Sequence, residues 1–165
     1  MFFVLSSGEV LGIVVDPDNK LLVNTPEREK YQAFLGWLTA AWMKRGMSDN
    51  EGAIYCFEQA MKIRSWARDY NDLANLYFQT GRVVEARTMV TEMLDVASVN
   101  GVFHDHEIEP KTLCQIHWLA GKIAEFDGKT EEAKAHFEKV IELGNATGLY
   151  NLVDSAKKKL GITTG

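Results

Sequence analysis

Apolar positions along this chain fall into two registers. From about residue 33 to residue 145 they recur three and four apart, the spacing of one helix face, in segments divided by short polar turns. Before residue 26 they come instead as short runs: Phe2-Phe3-Val4-Leu5, Val10-Leu11-Gly12-Ile13-Val14-Val15 and Leu21-Leu22-Val23. Ser6-Ser7-Gly8 and Asp16-Pro17-Asp18-Asn19-Lys20 separate them, so the segment is expected to form a β-hairpin or a three-stranded meander. Thr25-Pro26-Glu27 then reads as a helix start, with Thr as N-cap and Pro at the first helical position. Near the other end, residues 148–160 predict an amphipathic helix that stops at Gly161 and carries Lys157, Lys158 and Lys159 in its last turn. There the helix dipole favours cations.

The helical region repeats itself. Trp37-x2-Ala40-Ala41-x2-Lys44 is followed by Ala53-x3-Phe57-x2-Ala60. Tyr70-x2-Leu73-Ala74-x2-Tyr77 is followed by Gly81 and Ala86-x3-Val90-x2-Met93. His117-x2-Ala120-Gly121-x2-Ala124 is followed by Gly128 and Ala133-x3-Phe137-x2-Val140. Small residues recur in pairs, Ala41 with Ala53, Ala74 with Ala86 and Gly121 with Ala133, where two helices of a unit must approach closely. Thr80-Gly81-Arg82 and Asp127-Gly128-Lys129 supply the turns, and Ser48-x-x-Glu51 fits a capping box in the first unit. A surplus of about a dozen residues lies between the second and third units.

These three units resemble the tetratricopeptide repeat family, most closely from Tyr70 to Ala86. The first unit has Lys44 where the family favours an aromatic and its Gly46 comes early; the third has His117 where the family prefers Trp; none keeps the closing proline. The resemblance implies an all-α, right-handed helical solenoid of three helix-turn-helix repeats, near 33–66, 67–100 and 112–145. The N-terminal β element, 1–26, would stand before a repeat domain at 27–165, ending in the capping helix. A lone hairpin is barely stable in water, so this one is expected to cap the solenoid or to join copies through an unpaired edge.

Composition narrows the field without naming a function. The 165 residues carry 18 basic and 23 acidic side chains, a net charge of −5 that gives no reason to expect nucleic acid as a partner. The longest uncharged stretch, Tyr31–Met43, is shorter than the roughly 20 apolar residues of a membrane span, so no membrane insertion is expected. The apolar start lacks an early basic residue and a small-residue cleavage pattern, so it does not read as a signal peptide. Cys56 and Cys114 sit inside apolar helical patterns, as reduced thiols do, and a cytoplasmic setting is expected.

Candidate chemistry is sparse. His104-Asp105-His106-Glu107, with Glu109, gathers potential metal ligands in the surplus segment, but a metal site normally shows firmer spacing, so a solvated polar loop leading into Pro110 is expected and no metal. His117 falls at a packing position and His136 on an outer helix face expected to be exposed. Cys114 and His117 lie within reach on one helix, yet a thiolate nucleophile would need an electropositive cleft and an orienting third group, neither of which is evident. Gly8-x3-Gly12 lacks the lysine of a phosphate loop. The chain is expected to be no enzyme and to need no cofactor.

Stacked as in the resembled family, the first helix of each unit would line a concave groove. With core contacts at Trp37, Ala40, Ala41 and Lys44, the helical offset turns Leu38, Trp42 and Arg45 toward it. The equivalent positions are Asn71, Asn75 and Phe78, with Arg68 on the same stripe, and then Trp118, Lys122 and Glu125. Aromatic and arginine side chains are common interface anchors, and Asn71 and Asn75 could clamp a peptide backbone. Family members that grip acidic chaperone tails use cations where this chain has Leu38, Trp42, Gln115 and Leu119, so that specificity is not expected. The expectation is a scaffold or adaptor that binds a protein or peptide, as an amphipathic helix or an extended segment with an apolar anchor. The alternatives are a self-assembling homo-oligomer and a receptor for a small signalling peptide, the latter because Glu142-Leu143-Gly144-Asn145 is similar to repeat endings in peptide-responsive bacterial regulators.

Overall fold

The computed structural model describes residues 3–4, 10–11, 26–104 and 106–162. The chain divides into two compact units, residues 1–65 and 66–165, each taken by itself below. The first holds β1 (Phe3–Val4), β2 (Val10–Leu11), α1 (Pro26–Gly46) and α2 (Asn50–Ile63). The second holds α3 (Ala67–Gln79), α4 (Val83–Val99), β3 (Val102–Phe103), β4 (His106–Glu107), α5 (Pro110–Phe126), α6 (Thr130–Thr147) and α7 (Tyr150–Lys159). The architecture is all-α, built of consecutive helical hairpins of tetratricopeptide-like form, with two very short β-ladders among the described residues. No helix among the described residues is long and apolar enough to cross a membrane.

In the first unit β1 and β2 pair antiparallel, Phe3 opposite Leu11 and Val4 opposite Val10, in the expected hairpin. The expected third run, Leu21–Val23, and the Thr25 cap lie outside the described residues. Helix α1 begins at Pro26 as its sequence signal required. It packs on α2 and buries Phe34, Leu38 and Ala41, while Trp37 is half-buried and meets Tyr55 edge-on at 6.0 Å. The core face therefore runs through 34, 38 and 41, a correction to the face through Trp37, Ala40 and Lys44. Lys44 instead reaches the helix turn and donates to Asp49 Oδ2 at 2.7 Å.

That turn corrects the capping box as well. Asp49, not Ser48, caps α2: its Oδ1 accepts from the Gly52 backbone N–H at 2.9 Å. Ser48 sits one residue outside, in the left-handed region at φ 62°. A Cβ at Gly52 would collide with the Asp49 carboxylate, so the cap depends on glycine three residues on.

In the second unit Gly81 and Gly128 hold φ at 82° and 73° at the two hairpin turns, where a side chain would be strained. The small-residue pairs lie at close approaches: Ala74, Ala86, Gly121 and Ala133 are all buried. Phe137 fills the space in front of Gly121, where a Cβ would stand 2.6 Å from the ring. Phe137, Val140, Cys114 and Ala156 share one core cluster, and α7 covers α6 with Leu152 and Leu160 packed against it. Arg87 of α4 grips Asp127 at the end of α5 with both Nε and Nη2.

The surplus segment is not an open loop. β3 and β4 pair antiparallel, Val102 opposite Glu107 and Phe103 opposite His106, and Phe103 is only 1% exposed. Phe103 is driven inward by its ring: it meets Tyr70 at 5.0 Å between centroids, and Tyr70 in turn donates its hydroxyl to Glu92 at 2.6 Å. Burial and the Glu92 carboxylate push the Tyr70 phenol well above its usual range.

Candidate partner-binding surface

Four of the predicted groove residues come together in the second unit around one ammonium. Lys122 of α5 donates to Asn75 Oδ1 of α3 at 3.3 Å. Its Nζ lies 5.2 Å from the centre of the Phe78 ring and 6.0 Å from that of Trp118. These are cation–π distances, at which a ring face attracts the charge. Partial burial is the main influence lowering the Lys122 pKa, and the nearby Lys159 charge adds to it. The ammonium is therefore poorly hydrated. A carbonyl or carboxylate that approached it would meet a donor with little water to give up.

The helix periods explain the grouping. Asn75 and Phe78 lie three apart on α3, and Trp118 and Lys122 four apart on α5, so each pair shares a face. The two helices pack on each other, which lets side chains of different repeats share one cation. Trp118 also leans on Phe137 at 5.4 Å, so its indole is anchored from behind.

Phe126 belongs to the same surface and was missed. It is 67% exposed and meets Phe78 edge-on at 6.2 Å. Its position four residues after Lys122 was the available signal; Glu125, the residue expected on the stripe, is instead ion-paired with Lys159 of α7. Arg68 is largely exposed, but both its Nε and its Nη2 donate to Oδ1 of the buried Asp69 at 3.2 Å. Burial raises the Asp69 pKa against the opposing pull of Arg68. Asn71 is 6% exposed, so its amide presents almost no surface; its Oδ1 has no hydrogen-bond partner among the described residues.

In the first unit Leu38 is likewise buried, and for the same reason it offers packing rather than an open contact. Trp42 is 40% exposed, stands edge-on to Phe57 at 5.5 Å, and carries the Arg45 guanidinium 5.3 Å from its ring centre.

His117 lies at a packing position as expected, whereas His136 does not lie where expected. His136 is half-buried rather than exposed, and its Nδ1 lies 3.0 Å from that of His117 across the α5–α6 hairpin. Cys114 donates instead to the Val140 carbonyl at 3.6 Å, and burial raises its thiol pKa, the reverse of what a nucleophile needs. His104 approaches Glu92 at 3.9 Å, while His106 stands edge-on to Trp66. Among the described residues no group of three or more His, Cys, Asp or Glu side chains could hold a metal ion.

Residues 115–145, covering most of α5 and α6, match the family model for the tetratricopeptide repeat. That helical hairpin is a tetratricopeptide repeat. No curated protein and no solved structure matches the chain. The repeat is a protein-interaction architecture, since stacked helix pairs offer extended faces to partners.

Proposed function

We propose that this protein is a non-catalytic scaffold or adaptor that binds a protein or peptide segment on the α3–α5 face, around Asn75, Phe78, Trp118, Lys122 and Phe126. The observation that carries this reading is the Lys122 ammonium shared by Asn75, Phe78 and Trp118 from two successive repeats. Such a centre combines aromatic area with one poorly hydrated donor, the mixture from which interface hot spots are made. A segment with an apolar side chain would seat it on the Phe78 and Phe126 rings. A backbone carbonyl of that segment would take its hydrogen bond from Lys122 or Asn75. Trp42 and Arg45 would form a separate contact surface on the first unit.

The test is a peptide-display selection on the full chain, followed by calorimetry of the selected sequences on wild type and on Asn75→Ala, Trp118→Ala. The double variant is expected to keep its fold and to bind at least about 30-fold more weakly, the loss of about one hot spot. Undiminished binding by the folded variant would move the site elsewhere.

A further inference from the structure

A cleft of about 430 Å³ opens in the second unit where the N-terminal ends of α3 and α5 meet the β4 strand. Trp66 and Arg68 line it from the start of α3, Glu109 and Thr112 from the start of α5, and His106 and Glu107 from β4. Trp66 and His106 make one aromatic wall, their rings edge-to-face at 5.8 Å and 87°. None of these residues except Arg68 belongs to the stripe predicted from the repeat.

The charge of the lining decides what it can hold. Two helix N-termini and a guanidinium would by themselves suit an anion. However, Arg68 already directs two nitrogens at the fully buried Asp69, so its charge is answered within the protein. Glu107 and Glu109 are both exposed, and among the described residues neither has an ion-pair partner. Glu109 is the N-cap residue of α5 but makes no side-chain cap hydrogen bond, so its carboxylate remains available. An anion entering the cleft would meet two uncompensated carboxylates; a cation would meet two acceptors and an indole.

We propose that this cleft binds an organic cation, an alkylammonium or guanidinium group, with Glu107 and Glu109 as its charge partners and Trp66 as its aromatic wall. Carboxylates accept charge-assisted hydrogen bonds from such groups, and an aromatic ring adds cation–π attraction. The cation can come from a free amine or from a lysine or arginine side chain of a partner segment. The site stands on its own lining and does not rest on the face around Lys122.

The experiment is an NMR titration of the isotope-labelled full chain, following the assigned Trp66 indole N–H resonance. The probes are agmatine, a capped tripeptide with a central arginine, and inorganic phosphate. Both cations are expected to give a saturable shift of Trp66, phosphate none. Glu107→Gln, Glu109→Gln is expected to weaken the cations at least about tenfold, whereas Asn75→Ala, Trp118→Ala leaves them unchanged. Tighter binding of the peptide assigns the source to a partner side chain, and tighter binding of agmatine assigns it to a free amine. The proposal is overturned by three results: no saturable shift with either cation, equal affinity in the glutamine variant, or preference for phosphate. Should the glutamine variant fail to fold, the wild-type salt dependence decides, and affinity that holds from about 0.02 to about 0.5 M salt overturns it.

Discussion

His117 and His136 face each other Nδ1 to Nδ1 at 3.0 Å, joining the two helices of the α5–α6 hairpin. One nitrogen must donate and the other accept, so the bond exists with both rings neutral or with one charged and is lost when both are charged. Burial holds both rings below the ordinary range, His117 down to about 4, with the neighbouring His136 and Lys139 adding to its shift and Glu142 opposing it. Glu132 opposes the shift at His136.

The sign of the pH dependence follows. Between about pH 6.5 and the folded value near 4, the unfolded chain takes up protons that the folded chain refuses. The stability contributed by the pair is full above about pH 6.5 and falls as the pH drops toward 4. Thermal melts at about pH 7.5 and about pH 5 should show a lower Tm in acid, by several degrees. The apolar replacement His117→Phe, His136→Leu should shrink that difference, because neither state then titrates there. Equal acid loss in both proteins would show that other groups carry it.

Gly121 admits Phe137, and any Cβ at that position must displace the ring. Gly121→Ala is expected to destabilise the protein by about 1–3 kcal/mol, the usual cost of overpacking a filled core. Phe137→Leu should also destabilise the native protein, by leaving unfilled space. The two changes together should cost less than their sum, since the smaller side chain makes room for the added methyl. Chemical denaturation of all four proteins measures the coupling, and strict additivity would contradict the contact.

Asp49 and Ser48 compete for the role of capping α2, and the geometry awards it to Asp49. Asp49→Ala removes the bond to the Gly52 N–H and the Lys44 partner together, so Tm should fall by a few degrees. Ser48→Ala should leave Tm unchanged. Its side chain lies before the helix at positive φ and caps nothing. The Asp49 carboxyl is held below its usual range by Lys44 and the Gly52 N–H. Its contribution is therefore present above the ordinary carboxyl pKa and fades as acid protonates the folded group. A melt series on the two variants separates the assignments.

What could be read in the chain was whatever depends on neighbours in sequence. Helix periods, the Gly81 and Gly128 turns, Pro26 at the first helical position and the small-residue pairs at 74/86 and 121/133 are all local rules. A turn needs φ above zero, and two helices in a hairpin need small side chains, whatever the rest of the protein does. The stripe on α5 was legible for the same reason, because Trp118 and Lys122 share a face by helical spacing alone.

Tertiary structure decided which face each helix buries and which side chains from separate helices meet. Sequence period fixes that Leu38 and Asn71 lie on some stripe, but the apolar residues of α1 are spread around the helix instead of gathered on one face and α3 is buried on several sides, so period alone could not orient them. Packing turned both inward. Likewise, nothing in the order of residues says that His136 approaches His117, that Lys159 takes Glu125, or that a two-residue β-ladder carries Phe103 into the core. Each of these contacts joins residues more than fifteen positions apart or follows from burying one large ring. Their geometry exists only once the helices have packed.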